Sequence, residues 1–209
     1  MTENRIDRTL QALKQQGKKA LIPFVTAGHG GYDRTEQLVL QMEKAGADII
    51  ELGVPFSDPI AEGPVIQHAS EQALKQGTTL AGIFELVKRL RKKTDMPLLL
   101  MMYLNTIFSH GTEEFFRTCQ EIGIDGVIVP DMPFEEKDEI QGSADKYHIH
   151  NISLVTPASE GRIQMIAEDA TGFLYCVSSN GVTGMRTKFQ TAKDFVSENK
   201  DGLQSAFWY

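Results

Sequence analysis

The sequence has few cysteines and no long apolar segment. Its 2 cysteines, Cys119 and Cys176, stand in apolar surroundings and lack metal-ligand spacing, so each reads as a small buried residue. No apolar run approaches the roughly 20 residues of a membrane-spanning helix. The polar N-terminus lacks the apolar region of a signal peptide. We therefore expect a cytoplasmic protein that does not enter a membrane.

Positive charge is also scarce. The chain has 21 Lys and Arg against 28 Asp and Glu, a net charge of −7, whereas a nucleic-acid surface needs a basic face. The one basic cluster, Lys88 to Lys93, suits the C-terminal end of a helix. The sequence contains no Walker loop, no dinucleotide fingerprint and no His-rich cluster. We expect no nucleic-acid partner, no metal and no organic cofactor.

Short apolar runs alternate with longer amphipathic segments along the chain, which predicts a parallel sheet with helices outside it. The predicted strands are Ala20–Val25, Asp48–Leu52, Leu98–Met102, Gly126–Val129, Ile149–Val155 and Phe173–Val177. The predicted helices between them are Thr35–Ala45, Leu80–Lys92, Glu113–Glu121, Phe134–Tyr147 and Glu160–Ala167. An additional helix is expected within residues 1–16, with Leu10 and Leu13 on its apolar face. We expect residues 1–209 to form a single α/β domain.

A carboxylate stands where the second predicted strand gives way to a loop rich in glycine and proline. Glu51 lies at the C-terminal end of the run Ala47-Asp-Ile-Ile-Glu-Leu, one residue before its last, and Asp58 and Glu62 follow in the loop. A charged group there has no packing role that offsets its desolvation. Parallel α/β sheets and barrels carry catalytic groups at this end of their strands. The alternative interpretation is a carboxylate that caps the next helix or pairs with a lysine.

The motifs of the chain resemble those of the tryptophan synthase alpha subunit family up to about Phe189. They are Pro23-Phe-Val-Thr-Ala-Gly28, the segment from Glu51 to Gln67, Met101-Met-Tyr-Leu-Asn105, Val129-Pro-Asp-Met-Pro133 and Tyr175-Cys-Val-Ser-Ser-Asn-Gly-Val-Thr-Gly184. The resemblance implies a TIM-type (β/α)8 barrel, incomplete, with about six of the eight βα units present and the N-terminal helix at its bottom. Residues 190–209 diverge from the family pattern, which we interpret as a truncated or frame-shifted ending.

The resemblance also implies a function. Family members cleave indole-3-glycerol phosphate to indole and glyceraldehyde 3-phosphate, a retro-aldol lyase reaction of tryptophan biosynthesis, and they dock on the beta subunit in an alpha2-beta2 complex. The loops at Asp58 and Asp131 face that subunit in the family. Because the C-terminal phosphate loops of the family have no counterpart here, we expect impaired activity and weak phosphate binding. Two alternatives stay open: a non-catalytic partner that activates the beta subunit, and an inactive product that exposes its sheet edges.

The catalytic residues that the resemblance implies are Glu51, Glu62 and Tyr175. Glu51 matches the family's proton donor to C3 of the indole ring and is also a candidate base for the glycerol hydroxyl. Glu62 stands where the family carries Asp, which accepts a hydrogen bond from the indole N–H. Its extra methylene predicts a displaced carboxylate. Composition alone would equally allow a solvent-facing Glu62 and a Tyr175 that is merely half-buried.

The substrate-binding residues come from the same resemblance. Phe24 and Met101 lie at strand ends and are expected to form an apolar slot for the indole ring, although apolar strand residues are by default core. Thr26 is also expected to bind the substrate. Thr183 and Gly184 belong to a glycine-containing loop that closes over substrate in the family, where Gly184 gives a backbone N–H to the phosphate.

Overall fold

The computed structural model describes residues 3–156, 159 and 161–177. Parallel strands alternate in it with helices, as the hydrophobic pattern predicts. The strands are β1 (Phe24–Thr26), β2 (Ile50–Gly53), β3 (Leu98–Met101), β4 (Gly126–Ile128), β5 (His150–Asn151), β6 (Leu154–Val155) and β7 (Tyr175–Cys176). The first five form one sheet in the order β1-β2-β3-β4-β5, and β6 pairs in parallel with β7.

The strands β5 and β6 replace one predicted strand, Ile149–Val155. The backbone N–H of Ile152 still donates to Val127 O on the β4 side, at 2.9 Å. One residue later, Ser153 O accepts from the N–H of Tyr175 at 2.9 Å. The segment thus pairs with β4 along its first half and with β7 along its second half. It occupies the fifth strand position of a TIM-type barrel, and β7 occupies the sixth.

The helices confirm the predicted positions with shifts of a few residues at their ends. They are α1 (Arg5–Gln15), α2 (Tyr32–Lys44), α3 (Pro64–Lys75), α4 (Leu80–Arg91), α5 (Leu104–His110), α6 (Thr112–Ile122), α7 (Asp138–Lys146) and α8 (Ile163–Asp169), with a 3-10 turn at Phe134–Glu136. The pattern missed α3 and α5. The buried face of α3 is small and polar, with Ser70 and Ala73, and α5 has 7 residues, too few for a helical period to be recognised.

Helix α1 lies against the N-terminal ends of the strands. The Asn4 side chain caps it by accepting the N–H of Ile6, and its amide donates to Asp125 O just before β4. Ile6 and Leu10 are fully buried in the cluster that fills the sheet interior. Leu13, which the pattern placed on the apolar face, is half-buried, and Ile6, one turn before Leu10, is the second fully buried residue of that face.

Alternate residues of β2 point to two different cores. Ile50 and Leu52 pack outward against the helices, in the larger cluster. Ile49 points inward, together with Leu99 and Ile128 of the neighbouring strands. Glu51 shares the inward side with Ile49, because side chains alternate along a strand. Among the helices of the described residues, none is long and apolar enough to cross a bilayer.

Candidate active site

Glu51 lies inside the barrel, two residues before the end of β2. Its register partners are Phe24 on β1 and Leu99 on β3. The residue is 4% exposed, and within the described part of the chain no cation or hydrogen-bond donor pairs with its carboxyl group. Desolvation raises the pKa of Glu51 to about 7. The group can therefore both give and take a proton near neutral pH.

Tyr175 lies close enough to Glu51 for the two groups to interact. It begins β7, and its ring packs on the interior cluster, as does Met101 at the end of β3. Burial, and secondarily the charge of Glu51, raise the pKa of Tyr175 to about 12. The phenol consequently stays protonated and remains able to donate a hydrogen bond.

Phe24 forms the apolar wall next to Glu51, and Gly53 makes room for it. A Cβ atom on Gly53 would stand 2.3 Å from the Phe24 Cζ atom, so the ring covers the Gly53 backbone. Thr26 is the register partner of Gly53 and is buried as well. The sequence motif identified Phe24 and Thr26. It gave no reason to single out Gly53, whose lack of a side chain seats the Phe24 ring.

Glu62 belongs to a second network, in the loop between β2 and α3. Its carboxylate accepts a hydrogen bond from the Tyr103 hydroxyl, and its backbone carbonyl accepts from Gln67 Nε2 at 3.0 Å. The Tyr103 hydroxyl also accepts the N–H groups of Ile60 and Ala61, each at 3.0 Å. Sequence reasoning missed Tyr103, although it stands in the motif after β3.

The predicted residues fall into three groups. Glu51, Tyr175, Phe24 and Met101 come together inside the barrel, with Thr26 at the level of Gly53. Glu62 lies in the loop above β2 and is bound to Tyr103. Thr183 and Gly184 lie outside the described residues, so their predicted roles remain predictions.

The two predicted partner-facing loops make different polar contacts. The Asp131 carboxylate accepts the N–H of Leu104 at 3.0 Å, which ties the loop after β4 to the start of α5. Asp58 accepts a hydrogen bond from Ser57 at 2.5 Å in the exposed loop after β2. Ile60 and Val65 follow Asp58 and are highly exposed for apolar residues.

The geometry is that of an α/β barrel enzyme with a buried carboxyl group suited to proton transfer. A buried carboxyl group with a pKa of about 7 lies within electrostatic range of the Tyr175 phenol, and a second carboxylate, that of Glu62 in the loop after β2, accepts a hydrogen bond from Tyr103. This combination suits protonation and deprotonation of a flat apolar substrate in a water-poor site.

The chain belongs to the tryptophan synthase alpha chain family, whose profile matches residues 10–201. It is 56% identical to the tryptophan synthase alpha chain of Alkaliphilus metalliredigens over 183 residues, which are 88% of this chain and 69% of that protein. It is 48% identical to the Lachnospira eligens protein over 201 residues, 94% of this chain and 76% of the relative.

Solved structures agree with this assignment. The alpha subunit from Legionella pneumophila superposes with a TM-score of 0.88 at 38% identity and covers 96% of this chain and 75% of that one. A chain from the alpha2-beta2 tryptophan synthase complex of Pyrococcus furiosus superposes with a TM-score of 0.81 at 36% identity, covering 87% and 74%. The expected family and the TIM-type barrel are therefore confirmed.

Proposed function

We propose that this chain is a carbon–carbon lyase of tryptophan biosynthesis, which cleaves indole-3-glycerol phosphate to indole and glyceraldehyde 3-phosphate in the cytoplasm. The observation that carries the proposal is Glu51, a buried carboxyl group with a pKa of about 7 and without a cation partner in the described residues. Membership of the tryptophan synthase alpha chain family supplies the substrate and the products.

In the proposed reaction Glu51 acts first as an acid and then as a base. Its proton moves to C3 of the indole ring, which gives an indolenine that can accept the electrons of the breaking C–C bond. The Glu51 carboxylate then takes the proton of the glycerol hydroxyl next to that bond. The carbonyl of the aldehyde product forms, the C–C bond breaks, and indole and a protonated Glu51 result. A pKa near 7 suits both halves of this cycle.

In the proposed mechanism, other residues bind the substrate or stabilise charge that develops on it. Phe24 and Met101 contact the indole ring, and Tyr175 donates a hydrogen bond near the glycerol hydroxyls. Glu62 accepts the indole N–H and stabilises positive charge as the indolenine forms. Thr26 lines the same slot, and we assign Thr183 and Gly184 to substrate binding from the family resemblance alone.

We also propose that the chain assembles with a tryptophan synthase beta subunit. The P. furiosus relative is described in an alpha2-beta2 complex with mutual activation of its subunits. In this chain, Ile60 and Val65 offer exposed apolar surface beside Asp58. Burial of such side chains in an interface would stabilise the complex.

The experiment is an assay of indole release by the purified chain, alone and with a beta subunit. Glu51→Gln should lower turnover by a factor of about 10² to 10⁴, because an amide cannot transfer the proton. Glu85→Gln, on the exposed face of α4, is the matched control and should leave turnover unchanged. Retained turnover in Glu51→Gln would refute the role of Glu51. A wild-type chain that releases no indole but activates the beta subunit would favour the non-catalytic alternative.

A further inference from the structure

Tyr103 contacts the Glu62 carboxylate and has no role in the mechanism proposed above. The residue follows β3 at the C-terminal end of the barrel and is 4% exposed. Its ring stacks on Phe56 of the loop after β2, with 4.8 Å between the ring centroids. A buried, stacked ring holds its hydroxyl group in one place.

The hydrogen bonds of the Tyr103 hydroxyl have only one possible direction. A hydroxyl group has one proton to donate and two lone pairs to accept with. The N–H groups of Ile60 and Ala61 occupy both lone pairs, at 3.0 Å each. The single proton is therefore directed to the Glu62 carboxylate. Burial, and then the contact with Glu62, raise the pKa of Tyr103 to about 12, so that proton remains bound.

The same hydroxyl thus binds the backbone of the loop and the side chain that the loop carries. Residues 60 and 61 fix where the loop runs, and the contact with Glu62 fixes how far its carboxylate reaches. A glutamate has one more methylene, and therefore one more free rotation, than an aspartate. A fixed donor removes that freedom before the substrate binds, which is the condition for electrostatic stabilisation of a transition state.

We propose that Tyr103 is the positioning residue for Glu62. Its single hydroxyl group binds the backbone N–H groups of Ile60 and Ala61 and the Glu62 side chain, and it thereby fixes the position of the longer carboxylate above the barrel. The inference rests on the lyase activity proposed above. It predicts that Tyr103 acts on the rate through Glu62 and not through substrate binding.

A double-mutant cycle in the indole-release assay tests this role. Tyr103→Phe should lower kcat roughly 10- to 100-fold with a KM changed less than about threefold, because the lost interaction matters mainly in the transition state. In a Glu62→Gln background the same change should lower kcat less than about twofold. Equal losses in both backgrounds would show a general structural role for Tyr103 and overturn the proposal.

Tyr147→Phe is the matched control, since it removes a hydroxyl that donates to Glu113 far from the site, and it should leave kcat unchanged. Amide hydrogen exchange of Ile60, measured by NMR, checks the geometry independently of turnover. Exchange should be slowed in the wild type and in Tyr147→Phe, and faster in Tyr103→Phe. Unchanged exchange in Tyr103→Phe would overturn the proposal. A wild type without lyase activity would instead refute the proposed function and, with it, the catalytic meaning of the Tyr103 contact.

Discussion

Two buried carboxyl groups lie at opposite ends of the barrel strands and have opposite surroundings. Asp125, at the N-terminal end of β4, is 3% exposed and accepts hydrogen bonds from Arg91 at 2.8 Å, Arg5 at 3.0 Å and the N–H of Leu98 at 2.9 Å. Glu51, near the C-terminal end of β2, is equally buried, and the described residues give it no such partner. Equal burial therefore serves two different purposes.

The difference separates stability from chemistry. Burial raises the pKa of Asp125, but the guanidinium groups of Arg91 and Arg5 and the Leu98 N–H oppose that rise. Asp125 thereby joins α1, α4 and the start of β3 in one network at the bottom of the barrel. At Glu51 nothing in the described residues opposes desolvation, so the carboxyl group is protonated about half of the time near pH 7. The unpaired Glu51 carboxyl group makes the fold less stable, and its proton is available for transfer.

The largest effect is expected at the bottom of the barrel. Asp125→Asn should lower the free energy of unfolding by about 3 to 5 kcal/mol, because it leaves the buried guanidinium group of Arg91 without its counter-charge. Denaturant unfolding measures the change. Asp95→Asn is the control: Asp95 also pairs with Arg5 but its side chain is 74% exposed, so the loss should stay below about 1 kcal/mol. Similar losses in both variants would show that the buried Asp125 network stabilises the fold no more than the exposed Asp95 pair does.

A smaller effect of opposite sign is expected at Glu51. The pKa of Glu51 is about 7 in the fold and 4.5 in the unfolded chain, so the unfolded state releases its proton first as the pH rises. The group consequently destabilises the fold progressively from pH 4.5 to pH 7, by up to about 3 kcal/mol, and the loss is constant above pH 7. Glu51→Gln removes the ionisable group and with it this destabilisation. The variant should therefore have a higher free energy of unfolding than the wild type at pH 8, and the difference should shrink toward pH 4.5. A variant less stable than the wild type at pH 8 would contradict an unpaired Glu51.

The sequence was sufficient for the fold wherever a hydrophobic period was strong. Helices α4 and α6 have long apolar buried faces, and their predicted bounds agree with the structure within a few residues. Helix α3 was missed because its buried side is made of small and polar residues, Ser70 and Ala73. The split of strand 149–155 into β5 and β6 depends on which neighbour each half pairs with, and a local pattern carries no information on pairing.

The site divides in the same way. Glu51 was recognisable because a carboxylate in an apolar strand is costly without a function. Tyr103 and Gly53 were not recognisable, since a tyrosine after a strand and a glycine at a strand end are both ordinary in sequence. Their importance arises from contacts across the barrel mouth, with Glu62 in one case and with the Phe24 ring in the other.

The most direct test of the account is the titration of Glu51 itself. In the folded chain, the ¹³C resonance of the Glu51 side-chain carboxyl carbon can be assigned by its disappearance in Glu51→Gln and followed by NMR from pH 4 to pH 9. The account predicts a midpoint at about pH 7. A midpoint near 4.5, the ordinary value of a glutamate, would show that the carboxyl group is solvated or paired, and would contradict its role as the acid and base of the reaction.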